Sequence, residues 1–282
     1  MVQVEKCSWE RGQSVRLHGK LFVPDGAMNA LVIMVHGVGT YGGCFDEWAE
    51  TFAAQSIGFL AFDLRGHGQS SGIRGHAALR WIKDDIRVII KSIREKFPHI
   101  PIVLFGHSMG GNIALSYVLE KDVELQGAIA SAPWLLLARP PSPLLVRIAK
   151  WMSYIAPWLT VRTGISADQL SHDGVGVKSS KVDPLIHKKI SVKLFSDLWK
   201  SGLDMLNNER KPNIPILLMH GTDDTLTSFQ ASQLFAQNAG EYVTFKEWHE
   251  MRHDLLNESC KDVVFQYIMK WMSQKIIQDG TV

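Results

Sequence analysis

The stretch "PIVLFGHSMGGNIALSYVLEK", residues 101–121, decides how this chain folds. An apolar run, 102–105, leads straight into Gly106-His107-Ser108-Met109-Gly110, and the residues that follow place Ile113, Leu115 and Val118 as a buried helix requires. The run predicts a buried strand, the glycines a tight turn, and the remainder a helix. A serine at such a junction is lifted clear of the sheet, and the helix N-terminus points at any anion that develops beside it. Glycine is needed at 106 and 110 because side chains there would collide across the strained turn.

The pattern Gly-x-Ser-x-Gly occurs a second time, in "GQSSG" at 68–72. Its neighbours, "DLRGHG" and "IRGHAALR", form a polar, Gly-rich loop with no strand abutting Gly68 and no helix opening at Ser71. Context therefore selects Ser108 as the candidate nucleophile and marks Ser70 as a coincidental match.

Outward from this junction, short apolar runs recur at 14–23, 31–35, 58–63, 125–132, 215–220 and 242–248, several of them apolar throughout, as in strands buried on both faces of a parallel sheet. Helix-period segments lie between them at about 46–56, 77–96, 228–238 and 259–276. The alternation predicts an α/β fold with a mostly parallel central sheet flanked by helices. Residues 134–210 break the rhythm with "LLLARPPSPLLVRIAKWMSYIAPWLT", a stretch rich in Ser, Gly and Lys, and "LFSDLWKSGLDML". This reads as a helical cap inserted after the strand at 125–132, with 1–133 and 211–282 forming the core domain.

The 282 residues carry 30 Lys and Arg against 28 Asp and Glu, a formal charge of +2, so no strong field points to nucleic acid or to an anionic surface. A small neutral or apolar substrate fits better. The three cysteines, Cys7, Cys44 and Cys260, are far apart and lack metal-ligand spacing, which suggests a reducing compartment without a disulfide framework or zinc site. The N-terminus has no apolar leader core, and no run reaches the length of a membrane span. The expectation is a soluble, cytoplasmic protein, with peripheral membrane contact left to the cap.

A serine hydroxyl needs a histidine to take its proton and a carboxylate to orient that histidine. On a sheet of this kind the acid and then the histidine follow the serine, each on a loop beyond a later strand. The loop after 215–220 offers Asp223 and Asp224, and the loop after 242–248 offers His249 and His253. A tetrahedral intermediate also needs two backbone N–H donors. Met109, directly after the serine, supplies one, and Val38 in "HGVG", directly after 31–35, is the candidate for the other. No metal or cofactor is required by this chemistry.

With these parts assembled, the sequence resembles the α/β-hydrolase superfamily, and within it the monoacylglycerol lipase and lysophospholipase-like group formerly classed with serine aminopeptidases. The resemblance rests on "HGVG", "AFDLRGHGQSSG", "GHSMGGNIAL", "VDPLIHKKIS", "PILLMHGTDD" and "RHDLLNE", in family order over most of the chain. It implies the α/β-hydrolase fold and hydrolysis of carboxylic esters of lipid-like substrates through an acyl-enzyme. The family's Gly-x-x-Asp falls on Asp224, and its His-x-x-x-Asn-Glu opens at His253. The chain departs from the monoacylglycerol lipases where those carry a Glu and an Arg after the His-Gly turn; here Thr40 and Cys44 stand. A second family histidine is replaced by Leu256. A general short-chain esterase, a thioesterase or an aminopeptidase-type hydrolase would use the same triad. A non-catalytic binding protein on this fold would be expected to have lost one of its members.

In the cap, Pro143 suits a first helical turn. Leu144, Ile148, Met152 and Ile155 fall on one face and Arg147, Lys150 and Tyr154 on another. The first expectation is that the apolar stripe packs on the domain beneath; the sharper one is that part of it lines an acyl-chain tunnel or touches a membrane. His107, Trp134, Trp151, Met152 and Ile155 are the candidate substrate-contacting residues, with Phe195 also within conceivable reach. The lysines Lys178, Lys181, Lys188, Lys189 and Lys193 read as a solvated surface.

Overall fold

The computed structural model describes residues 2–12, 14–120, 123–172, 183–207 and 210–277. Lys178 and Lys181 lie outside the described residues. Among the described residues there are ten strands: β1 (Val2–Arg11), β2 (Val15–Pro24), β3 (Ala30–Val35), β4 (Ile57–Phe62), β5 (Ile102–His107), β6 (Gly127–Ser131), β7 (Thr160–Arg162), β8 (Lys189–Ser191), β9 (Ile216–Gly221) and β10 (Val243–Trp248). Eight of them form one sheet in the order β1-β2-β4-β3-β5-β6-β9-β10, and only β2 runs against its neighbours. The expected mostly parallel α/β sheet is therefore present.

The helices are α1 (Asp46–Ala54), α2 (Leu79–Lys96), α3 (Met109–Val118), α4 (Pro143–Ile155), α5 (Val192–Asn207), α6 (Phe229–Ala239) and α7 (Lys261–Lys275). Because side chains alternate along a strand, β3 sends Leu31, Ile33 and Val35 into one core layer and Val32 and Met34 into the other. The first layer is closed by α2, α3, α5 and α6, the second by α1 and α7. Every residue of β3, β4, β5, β6 and β9 is buried, which is why these strands read as continuous apolar runs. In α2 the buried Ile82, Ile86, Ile89, Ile90 and Ile93 repeat at helical spacing, and the polar face is left to solvent.

Strand β1 was not foreseen. Its burial pattern is nearly all exposed or partial, so the sequence carries no apolar signal there. Ten register pairs with β2 hold it, and Trp9 closes over Gly19, where a Cβ would sit 3.1 Å from the indole. Buried Asp85 on α2 fastens the same edge: it accepts from Arg65 Nε and Nη2 at 2.5 and 2.7 Å and from Arg11 Nε at 2.8 Å.

Helix α4 overturns the first expectation for its apolar stripe. Leu144, Ile148 and Ile155 are exposed, and Trp151 is 71% exposed. The helix packs instead on α5, and its least exposed positions are Val146, Ala149, Met152 and Ser153. The physical reason is steric: Ala149 and Ser153 are small enough to let two helices approach, so the bulky stripe is rotated outward. Downstream, β7 and β8 pair antiparallel as a separate two-stranded sheet. Helix α5 also packs on α3, where Asn112 Nδ2 donates to Leu198 O at 3.2 Å and to Trp134 O at 2.7 Å.

Candidate active site

Ser108 stands between β5 and α3 with φ 58° and ψ −116°, a conformation that L-residues adopt only under constraint. The turn is as close as expected at Gly106, whereas Gly110 is required by the neighbouring strand β3. A Cβ on Gly106 would lie 2.1 Å from Gly110 O, and one on Gly110 would lie 1.9 Å from Val35 O. Ser108 O accepts the N–H groups of Asn112 at 3.2 Å and Trp134 at 3.0 Å, which ties the turn to the chain leaving β6.

The His253 ring bridges Ser108 and Asp224, with Nε2 2.8 Å from Ser108 Oγ and Nδ1 2.7 Å from Asp224 Oδ2. With the proton on Nδ1, that nitrogen donates to the carboxylate and Nε2 is left to accept from the serine hydroxyl. Of the two ambiguous pairs, Asp224 and His253 are buried in this line, whereas Asp223 and His249 are exposed. The two loops are clasped together: Asp223 N donates to Met251 O at 3.0 Å, and a Cβ on Gly221 would lie 2.3 Å from that same oxygen. The His253 loop is pinned further by Trp48 Nε1, which donates to Leu256 O at 2.9 Å, and by buried Glu258, which accepts from Arg252 N at 3.1 Å.

Two residues around the acid were missed from sequence. His220 Nε2 lies 3.0 Å from Asp224 Oδ2, and Thr227 Oγ1 donates to the same oxygen at 2.7 Å. Oδ1 accepts Leu226 N at 2.7 Å and Thr227 N at 3.0 Å. His220 is itself oriented by Ser232 Oγ, 2.7 Å from its Nδ1. Only the position of His220 four residues before Asp224 could have hinted at this, and many strand-end histidines share that feature. Burial alone would raise the Asp224 carboxyl, but His253 and His220 outweigh it and hold the group well below the usual carboxylate range. Burial likewise opposes charge on His253, yet the Asp224 carboxylate raises its pKa above the ordinary histidine value.

The loop after β3 reaches the serine, since a Cβ on Gly37 would sit 3.5 Å from Ser108 Cβ. Among the described residues, neither the Val38 nor the Met109 backbone N–H donates to a backbone acceptor. His107 is buried with its ring centroid 5.0 Å from that of His253, and burial pushes its pKa down to about 4. Trp134 is buried against Phe195, with ring centroids 5.9 Å apart. Trp151 and Ile155 instead face solvent on α4, with Met152 half-buried beside them. Ser70, the second motif serine, is bonded to backbone groups and, among the described residues, to no imidazole: its hydroxyl donates to Asp63 O at 2.6 Å and accepts the backbone N–H of His18 at 3.0 Å. Among the described residues no group of three or more His, Cys, Asp or Glu side chains is arranged to hold a metal ion.

Known proteins resemble this chain over most of its length. An uncharacterised abhydrolase domain-containing protein of Dictyostelium discoideum is 33% identical over 88% of this chain, which spans only 26% of that protein's length. A monoacylglycerol lipase of Mycolicibacterium smegmatis is 29% identical over 92% of this chain and 93% of its own. The crystal structure of the Paleococcus ferrophilus monoacylglycerol lipase superposes with a TM-score of 0.82 at 28% identity, covering 92% of this chain and 99% of that one. Residues 26–260 match the hydrolase family described as serine aminopeptidase, S33, and a match of that extent means that the chain belongs to this α/β-hydrolase family.

Proposed function

We propose that this chain hydrolyses carboxylic esters of lipid-like substrates, a monoacylglycerol or a lysophospholipid, through an acyl-enzyme on Ser108. The observation that carries the reading is the continuous hydrogen-bonded line from Ser108 Oγ through His253 to Asp224, set at a strained strand–helix turn. His253 Nε2 takes the hydroxyl proton as Ser108 Oγ attacks the ester carbonyl, then returns it to the departing alcohol. Asp224 holds the imidazole in the tautomer with Nδ1 protonated and stabilises the imidazolium. The Val38 and Met109 N–H groups donate to the oxyanion. Water then repeats the sequence on the acyl-enzyme. The names of the relatives support the lipid substrate class.

Residues 134–210 are proposed to act as the cap, and the exposed face of α4 supports a lipid role for it. Leu144, Ile148, Trp151 and Ile155 recur at i, i+4, i+7 and i+11 and are all exposed, with Trp158 and Leu159 continuing the apolar surface. Such a face suits contact with acyl chains or with a membrane surface. Among the described residues no helix is long and apolar enough to cross a membrane. His107 and Trp134 would then meet the substrate near the reacting carbonyl, and Trp151, Met152 and Ile155 its approaching chain.

The test is hydrolysis of a chain-length series of p-nitrophenyl esters, 1-monoacylglycerol and lysophosphatidylcholine by wild type and Ser108→Ala. A long-chain or lipid preference, lost in the variant with kcat down ~10⁵–10⁶-fold, is the expected result. Activity confined to short esters would remove the lipid claim, and an active Ser108→Ala would remove the mechanism.

A further inference from the structure

The Val38 N–H belongs to the same peptide unit as the Gly37 carbonyl. In a trans peptide the C=O and N–H bonds are coplanar and point in opposite directions, so whatever holds the oxygen also aims the hydrogen. Gly37 O is held by two side chains. His36 Nδ1 lies 2.8 Å from it, and Thr40 Oγ1 donates to it at 3.1 Å.

The His36 tautomer is set by its other nitrogen. His36 Nε2 accepts Leu64 N at 3.0 Å, which leaves the proton on Nδ1 to donate to Gly37 O. The ring is fully buried, and burial pushes its pKa down to about 4, so it stays neutral over the working range. The remaining ties of this loop act elsewhere. His187 N donates to Gly39 O at 2.9 Å, and Tyr41 Oη donates to Asp183 Oδ2 at 2.7 Å. These position residues 39 and 41, and among the described residues the hydrogen bonds on the Gly37 carbonyl come from His36 and Thr40. Thr40 is half-buried, so its hydroxyl can be changed without opening the core.

We propose that Thr40 is a positioning residue for ester hydrolysis: with His36 it clamps the Gly37 carbonyl so that the Val38 N–H is aimed at the oxyanion before substrate arrives. This rests on the reading of Ser108 as nucleophile and Val38 as oxyanion donor. A preorganised donor acts on charge that develops in the transition state, so loosening it lowers kcat more than it changes KM.

The experiment compares wild type, Thr40→Val, Thr40→Ser and Ser108→Ala on p-nitrophenyl butyrate. Inhibition by an alkyl trifluoromethyl ketone, which adds Ser108 as a hemiketal oxyanion, is measured beside the matching methyl ketone. Thr40→Val is expected to lower kcat roughly ten-fold, a fraction of the ~10²–10³-fold lost with a whole oxyanion donor. Its KM should stay near wild type, trifluoromethyl ketone affinity should fall in proportion to kcat, and methyl ketone affinity should hold. Thr40→Ser, which keeps the hydroxyl, should recover most of the loss. Wild-type kcat and trifluoromethyl ketone affinity in Thr40→Val, with Ser108→Ala inactive, would overturn the clamp alone. Equal losses in the Val and Ser variants would overturn it too, as a packing effect. An active Ser108→Ala would overturn the underlying mechanism and the clamp with it.

Discussion

Replacing Asp224 by Asn tests the site at its most crowded point. The carboxylate accepts five donors: Leu226 N, Thr227 N, Thr227 Oγ1, His220 Nε2 and His253 Nδ1. An amide has one acceptor oxygen and two N–H donors. If its oxygen faces the two backbone N–H groups, its NH₂ faces the hydroxyl and both histidines; if reversed, the NH₂ faces the backbone pair. Either way at least two buried donors lose their acceptor, which at about 1–3 kcal/mol each costs roughly 2–6 kcal/mol of stability before repacking. The catalytic effect is separate. An NH₂ beside His253 Nδ1 favours the tautomer protonated on Nε2, which cannot take the proton of Ser108. A fall in kcat of ~10⁴-fold is expected, the scale seen when a triad carboxylate becomes an amide elsewhere. The assay is p-nitrophenyl ester turnover with thermal unfolding followed in parallel, and Asp223→Asn serves as the control. The exposed Asp223 carboxylate accepts from Thr222 Oγ1 at 3.1 Å at the surface, so its loss should be nearly silent. An Asp224→Asn protein within ten-fold of wild type, or an equal collapse in Asp223→Asn, would refute the assignment.

Because the base must be neutral and Asp224 raises its pKa, kcat/KM should fall with falling pH through a midpoint above about 6.5; a midpoint near 5 would contradict the pairing. The same pair acts on stability. The raised His253 contributes below about pH 6.5 and is lost as pH rises through its folded value, while the depressed Asp224 contributes above about pH 4 and is lost as pH falls toward its own. The urea midpoint should therefore gain most from the pair between about pH 4 and 6.5, and a gain confined to alkaline pH would be inconsistent with it. Ser70→Ala removes a buried hydroxyl that joins Asp63 O to His18 N, so it should cost roughly 1–2 kcal/mol in urea unfolding with kcat kept; loss of activity without loss of stability would reopen the choice of serine. Asp85→Asn should destabilise by about 3 kcal/mol, the lower end for a broken buried pair because both arginines retain some solvent contact. An unchanged melting temperature would show that this edge is held by β1–β2 pairing instead.

The parts legible in the sequence were those whose physics is local. Strands β3, β4, β5 and β9 are buried on both faces, so each appeared as an unbroken apolar run. Helix α2 declared itself through its isoleucine spacing. Strand β1 did not, because its stability comes from hydrogen bonds to β2 rather than from its own side chains. The orientation of α4 was misjudged because apolar spacing identifies a face without saying what lies opposite. His220 and Thr227 escaped notice since nothing in their neighbours shows which carboxylate oxygen they approach.

By itself the sequence determined the strand–turn–helix junction at Ser108. Part of the constraint there is short-range sterics: a Cβ on Gly106 would meet Gly110 O, four residues on, at 2.1 Å. It also narrowed the acid and the base to neighbouring pairs, and family resemblance then pointed to one of each. Only the tertiary structure decided which aspartate is buried in line with the histidine that meets a serine 145 positions before it. It likewise decided that a threonine hydroxyl lies on the Gly37 carbonyl, and that the bulky face of α4 is left in solvent. These outcomes depend on loops from distant strands meeting at one edge of the sheet, and on how closely two helices can approach, neither of which is encoded in any single window of residues.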